Sequence, residues 1–69
     1  MNPAVEILER EGWQRTTRNY YESAQHPEYI VTVSKRGAWC LSKRWSTGFK
    51  VIKSNTDPFT VANALSIIA

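Results

Sequence analysis

The apolar positions change their period along the chain. Near the start, Val5 and Leu8 share a face with Ala4 and Gly12, Ile7 flanks them, and Glu6, Glu9, Arg10 and Glu11 are polar. That spacing is helical. Asn2-Pro3 marks the beginning, because Asn caps well and Pro suits the first helical position, and Gly12 ends the helix where a left-handed residue is usual. A helix of about three turns is unstable alone and must dock on something.

The period then shortens. Trp13 to Glu22 is rich in Thr, Tyr and Arg and predicts one strand. Ser23 to Glu28 predicts a loop, with Pro27 breaking the ladder. Tyr29 to Ser34 is β-branched through its centre, and Ala38 to Trp45 and Phe49 to Ser54 follow as strands, divided by a turn at Ser46-Thr47-Gly48. Helical spacing returns at the end: Asp57-Pro58 repeats the capping device of Asn2-Pro3, and Val61, Leu65 and Ile68 form a face with Ala62 beside them. Pro58 to Ala69 carries no charge, and Phe59, Ala64 and Ile67 widen its apolar part. A helix so apolar is normally covered on more than one side, which predicts a partner for the side bearing Phe59, Ala64 and Ile67. The expected architecture is α+β: a single domain, 1–69, with an N-terminal helix, a three- to four-stranded antiparallel sheet and a C-terminal helix, both helices on one sheet face.

Parity selects the register of the hairpin SKRGAWCLSKRW. A two-residue turn at Arg36-Gly37 scatters apolar residues over both faces. A three-residue turn at Lys35-Arg36-Gly37 pairs Val33 with Trp39 and gathers Tyr29, Val31, Val33, Trp39, Leu41 and Trp45 on one face. Its Gly also falls where such a loop needs a left-handed residue. Trp39 is then expected in the core, whereas Trp45, at the strand end, is open to either core or surface. Lys43 has the same parity near the sheet margin, where its stem can lie along a ring.

Charge adds a second picture. The net charge is +3, but Lys35, Arg36, Lys43, Arg44, Lys50 and Lys53 fall in a stretch without Asp or Glu. That asymmetry points to an anionic partner. The opening MNPAVEILERE is acidic and periodic, so no signal peptide is expected, and no apolar run approaches the ~20 residues of a membrane span. The single cysteine, Cys40, cannot form an internal bridge and fits a reducing, cytoplasmic setting. One histidine, His26, cannot supply a zinc site, and no catalytic pair or phosphate loop is evident. The expectation is a protein without catalytic residues, metal, cofactor or small-molecule substrate.

The segments NPAVEILEREGW, Tyr21-Glu22, AQHPEY and YIVTV follow the order of the double-stranded-RNA-binding-domain fold, which the chain resembles. In that family a His in the loop after the first strand commonly enters the RNA minor groove, and His26 lies at that place. HicA toxins, small ribonucleases on the same fold, open similarly. The resemblance implies the fold more than either activity. The Lys cluster expected at the last helix is replaced by Asp57, Pro58, Phe59 and Thr60, and the toxins' catalytic His by Arg18-Asn19-Tyr20-Tyr21.

Two functions fit. The first is nucleic-acid binding, to RNA or DNA, through Lys35, Arg36, Lys43, Arg44, Lys50 and Lys53, with Arg15, Arg18 and His26 added and Tyr20 or Trp45 stacking on a base. The second is a protein-interaction module, as a homodimer, inhibitor or adaptor of the kind phages make. It would use the uncharged last helix (Phe59, Ala64, Ile67) or a sheet edge.

Overall fold

The computed structural model describes residues 2–68. Helix α1 spans Pro3–Arg10, followed by five strands: β1 Gln14–Thr17, β2 Tyr20–Glu22, β3 Tyr29–Val33, β4 Trp39–Trp45 and β5 Gly48–Asn55. A 3-10 turn, Pro58–Thr60, leads into helix α2, Val61–Ile68. The strands form one antiparallel sheet in the order β1-β2-β3-β4-β5, each paired with the next along the chain.

The sheet therefore has five strands rather than three or four. The difference lies in the segment read as one strand from Trp13 to Glu22. It folds back at Arg18-Asn19, where Arg18 adopts φ 36°, and β1 pairs with β2 as Gln14 with Glu22 and Arg15 with Tyr21. This turn contains neither Gly nor Pro. The carbonyl of Asn19 accepts a hydrogen bond from the Val33 amide at 3.0 Å, so the neighbouring strand helps hold it.

Capping proceeds as the sequence indicates. The Asn2 side chain accepts from the Ala4 amide and that of Asp57 from the Phe59 amide, both at 3.0 Å. At the end of α1, Gly12 has φ +90°, its amide donates to Glu9 O and the Trp13 amide donates to Leu8 O. This paired closure satisfies carbonyls that the helix leaves free and brings Trp13 back over Leu8.

Both helices cover one face of the sheet. Ala4, Ile7 and Leu8 of α1 and Val61, Ala64 and Leu65 of α2 join Trp13, Tyr21, Val31, Val33, Trp39 and Leu41 in a single core. Ala64, expected beside Phe59 and Ile67 on a docking side, is instead 0% exposed. Its small side chain faces the core, and only Phe59 and Ile67 of that trio are exposed. No helix of the described residues is long and apolar enough to cross a membrane.

The β3–β4 hairpin has the three-residue turn: Val33 pairs with Trp39, and the Ser34 amide donates to Ala38 O at 2.8 Å. Gly37 has φ +92°, and a Cβ there would lie 3.1 Å from Pro58 Cβ, so the hairpin tip packs closely on the 3-10 turn that leads into α2. The Asn2 amide group donates to Ser34 O at 3.2 Å, tying the start of α1 to the same tip. Gly12 shares the positive φ, but nothing lies within 4 Å of a Cβ there. Replacing Gly12 with Ala should therefore cost only the left-handed backbone penalty, ~1–2 kcal/mol. Gly37→Ala should cost more, because it also pushes the tip off Pro58. Urea denaturation of the two variants checks this, and equal losses would deny that the contact matters.

Candidate nucleic-acid interface

The inward parity of β4 runs Trp39, Leu41, Lys43, Trp45, and it continues past the end of the helix cover. Trp39 and Leu41 are buried, Lys43 is half-buried, and Trp45 is 53% exposed, which places this indole on the surface. Lys43 pairs with Tyr29 on one side and Lys50 on the other, and Trp45 pairs with Gly48. The Lys43 Nζ lies 5.9 Å from the Tyr29 ring centre and 5.7 Å from that of Trp45, while the Lys50 Nζ lies 5.8 Å from the Trp45 ring. Two ammonium groups thus flank one exposed indole.

This arrangement has an electrostatic cost. Lys43 and Lys50 stand directly opposite each other on adjacent strands, where like charges destabilise a sheet. Neither has a carboxylate partner, because the one ion pair among the described residues joins Arg44 to Glu22. Glu28 is nearby in the chain, and its backbone carbonyl accepts from the Arg44 amide at 2.7 Å, but its carboxylate makes no ion pair with either lysine. Cation–π attraction to Trp45 and Tyr29 offsets part of the repulsion, at ~0.5–1 kcal/mol per exposed contact.

The opposite side of the hairpin is different. Arg44 pairs with Phe49 across the strands, its guanidinium lies 5.5 Å from the Phe49 ring, and its charge is engaged by Glu22 of β2. Arg44, expected among the phosphate contacts, is thus paired with a carboxylate on the surface, unlike Lys43 and Lys50. Between Phe49 and Tyr20 lies a recess of about 170 Å³ lined also by Ile30, Thr32 and Ser42.

The other expected cations are dispersed. Lys53 lies on β5 opposite Leu41, on the outer strand. Arg18 in the β1–β2 turn and Lys35 and Arg36 in the β3–β4 turn lie at the other end of the sheet from Trp45, and Arg15 is on β1, the far edge. His26 is on the helix side of the β2–β3 loop, stacked on Trp13 with ring centres 6.2 Å apart and planes 16° apart. It borders a recess with Glu11, Gln25 and residues of α2, away from the hairpin cations. Of the nine expected contacts, Lys43 and Lys50 are the pair brought together around an exposed ring.

Phe49 and Tyr29 were not among the expected site residues. The turn expected at Ser46-Thr47-Gly48 is instead a two-residue loop, Ser46-Thr47, with Gly48 opening β5, so Trp45 meets Gly48 and Phe49 faces Arg44. Tyr29 follows from the β3–β4 register, since it stands opposite Lys43.

No family model matches the chain, and searches of characterised proteins and of solved structures find no similar protein.

The lysine pair makes a prediction in which stability rises. Lys50→Glu converts repulsion across the strands into attraction and should stabilise the fold by about 0.5 kcal/mol. Thermal unfolding at low salt should show a higher midpoint, and the gain should shrink as salt screens the pair. A lower midpoint would mean that the lysines do not repel as placed.

Proposed function

We propose that the chain is a small, non-enzymatic nucleic-acid-binding domain whose β4–β5 hairpin takes single-stranded RNA or DNA. The observation carrying this reading is the unpaired Lys43–Lys50 couple flanking the exposed Trp45. Phosphates bound by both ammonium groups would relieve their repulsion, while a base stacks on the indole. Stacking of this kind requires an unpaired base, and every base has a face to offer, so single strands are favoured without strong sequence preference. Lys53 extends the charge along β5. Arg18, Lys35 and Arg36 supply a second basic region at the far end of the sheet, about 20 Å away by the rise of the seven residues of β4. The single free thiol of Cys40 accords with a reducing, cytoplasmic site of action.

Fluorescence anisotropy with labelled single-stranded and duplex oligonucleotides tests the proposal. The single strand should bind more tightly, with a logarithmic salt slope of about −2, given two or three phosphate contacts at roughly −0.7 each. Lys43→Ala and Lys50→Ala should weaken binding and reduce that slope. Trp45→Ala should weaken binding and leave the slope unchanged. Absence of binding, or binding indifferent to salt and to these substitutions, would sink the idea.

A protein partner is the second reading, and it is supported by Phe59 and Ile67, which are 67% and 61% exposed. They would dock on the apolar surface of a larger protein. If so, Ile67→Lys should abolish co-purification of a nuclease-resistant partner without lowering the melting temperature. Retention of the same partner would eliminate this surface.

A further inference from the structure

The turn of the β4–β5 hairpin leaves a gap beside the exposed indole. In an antiparallel pair a side chain normally meets another directly across the ladder. Trp45 stands opposite Gly48, which has no side chain to offer. Apart from its chain neighbours, no atom lies within 4 Å of the place a Cβ would take at Gly48. The loop Ser46-Thr47 closes the hairpin at this row, so no further pair covers the ring. The gap is a recess of about 320 Å³ lined by Trp45, Thr47, Gly48, Phe49 and Lys50. Trp45 and Phe49 have opposite parity, yet both reach it across the bare backbone of Gly48.

The walls and the approaches differ in chemistry. Two exposed aromatic rings border the recess together with one ammonium and one hydroxyl. The Lys50 Nζ lies 5.8 Å from the centre of the indole, so an anion bound there is beside the ring. Lys43 reinforces that charge from the opposite strand. Beyond Phe49 the balance reverses. Arg44, its cross-strand partner, is engaged by Glu22, and Glu28 adjoins the same row through its hydrogen bond with the Arg44 amide. Two acidic residues beside one guanidinium give a phosphate no foothold on that side.

We infer that the recess is a base-binding subsite, in which one unpaired nucleobase seats over Gly48 between Trp45 and Phe49 with its phosphate on Lys50. The inference rests on the nucleic-acid reading and adds to it a second aromatic wall and an orientation. The phosphate stays on the lysine side, and the base points towards the turn. At about 320 Å³ the recess is at the small end of ligand clefts, which suits one base with its sugar rather than a run of bases. The Thr47 hydroxyl can donate or accept, so it does not select one base over another.

Two oligonucleotides of equal length, one ordinary and one with abasic positions, test the subsite by fluorescence anisotropy. The abasic strand keeps every phosphate and lacks the bases. The ordinary strand should bind about fivefold or more tightly. Phe49→Ala should remove most of that advantage while leaving the abasic affinity and both salt slopes unchanged, and Phe49→Tyr should restore it. Gly48→Ala puts a methyl group into the recess and should also remove the advantage. The φ of +135° strains any side chain there, so its melting temperature should fall, whereas that of Phe49→Tyr should not. Trp13 and Trp39 are buried, so quenching of the exposed Trp45 should accompany binding of the ordinary strand alone.

The failures are separable. If neither strand binds, the nucleic-acid reading falls and the subsite falls with it. If both strands bind equally, the lysines hold phosphate but no base is seated, which overturns the inference. If the advantage of the ordinary strand needs Trp45 yet survives Phe49→Ala and Gly48→Ala, the base stacks outside the recess. The inference is then overturned while the nucleic-acid reading stands.

Discussion

The Trp39 indole is the tie between the two layers of this protein. Its ring is 2% exposed, in the middle of the core, and its N–H is shared between the Asp57 carbonyl at 3.0 Å and the Thr60 hydroxyl at 3.1 Å. Those two groups belong to the capping turn of α2, and the Thr60 hydroxyl in turn donates to Asp57 O at 2.7 Å. One strand residue therefore positions the start of a helix, supplies the largest fully buried side chain and satisfies a polar group that burial would otherwise make costly. Tyr21, Val31, Val33 and Leu41 share its core, Val33 as its cross-strand partner, and α1 reaches the same core through Leu8.

The helix-side sheet surface is divided by where this cover stops. Each helix has eight residues, about 12 Å of rise, and neither shields β5, all of whose residues are exposed. Within the cover the inward parity of β4 holds Trp39 and Leu41. Beyond it the same parity yields a surface, and the side chains become Lys43 and Trp45. One continuous strand thus serves as core at one end and as an exposed ledge at the other, and the ledge inherits the register that the core imposes. The electrostatic strain of the Lys43–Lys50 couple is localised on the exposed hairpin end, where it disturbs the packing least.

Much of the fold was legible because local chemistry and global pattern agree. Both Asx-Pro caps, the left-handed Gly12 and the register of SKRGAWCLSKRW follow from residue types whose backbone preferences are strong. The Arg18-Asn19 turn was not legible for the opposite reason. Arg18 is an unusual residue at positive φ, and a hydrogen bond from β3, a tertiary contact, helps to hold it. Ala64 was misplaced because the apolar circumference of α2 does not reveal which arc meets α1. The candidate site was only partly legible. Charge counting found Lys43 and Lys50 but weighted them equally with Arg15, His26 and Arg36, which strand order carries to other parts of the surface. It also did not show that Arg44 is neutralised by Glu22, a residue 22 positions away in the chain.

The meander and its closing contacts have a kinetic consequence. Every strand pairs with its sequence neighbour through a short connection, so the sheet can assemble by a series of local loop closures, each fast. The helices lie at opposite ends of the chain yet share one core and converge on the β3–β4 tip, through Asn2 on one side and Pro58 on the other. Each helix is tethered to the sheet by only a few residues, so docking it on the paired strands closes a short loop. The sheet is thus a ribbon of local pairings, and the two chain ends are the clasp on it. Because each helix covers part of the same core face, that face is fully withdrawn from water only when both ends of the chain are docked.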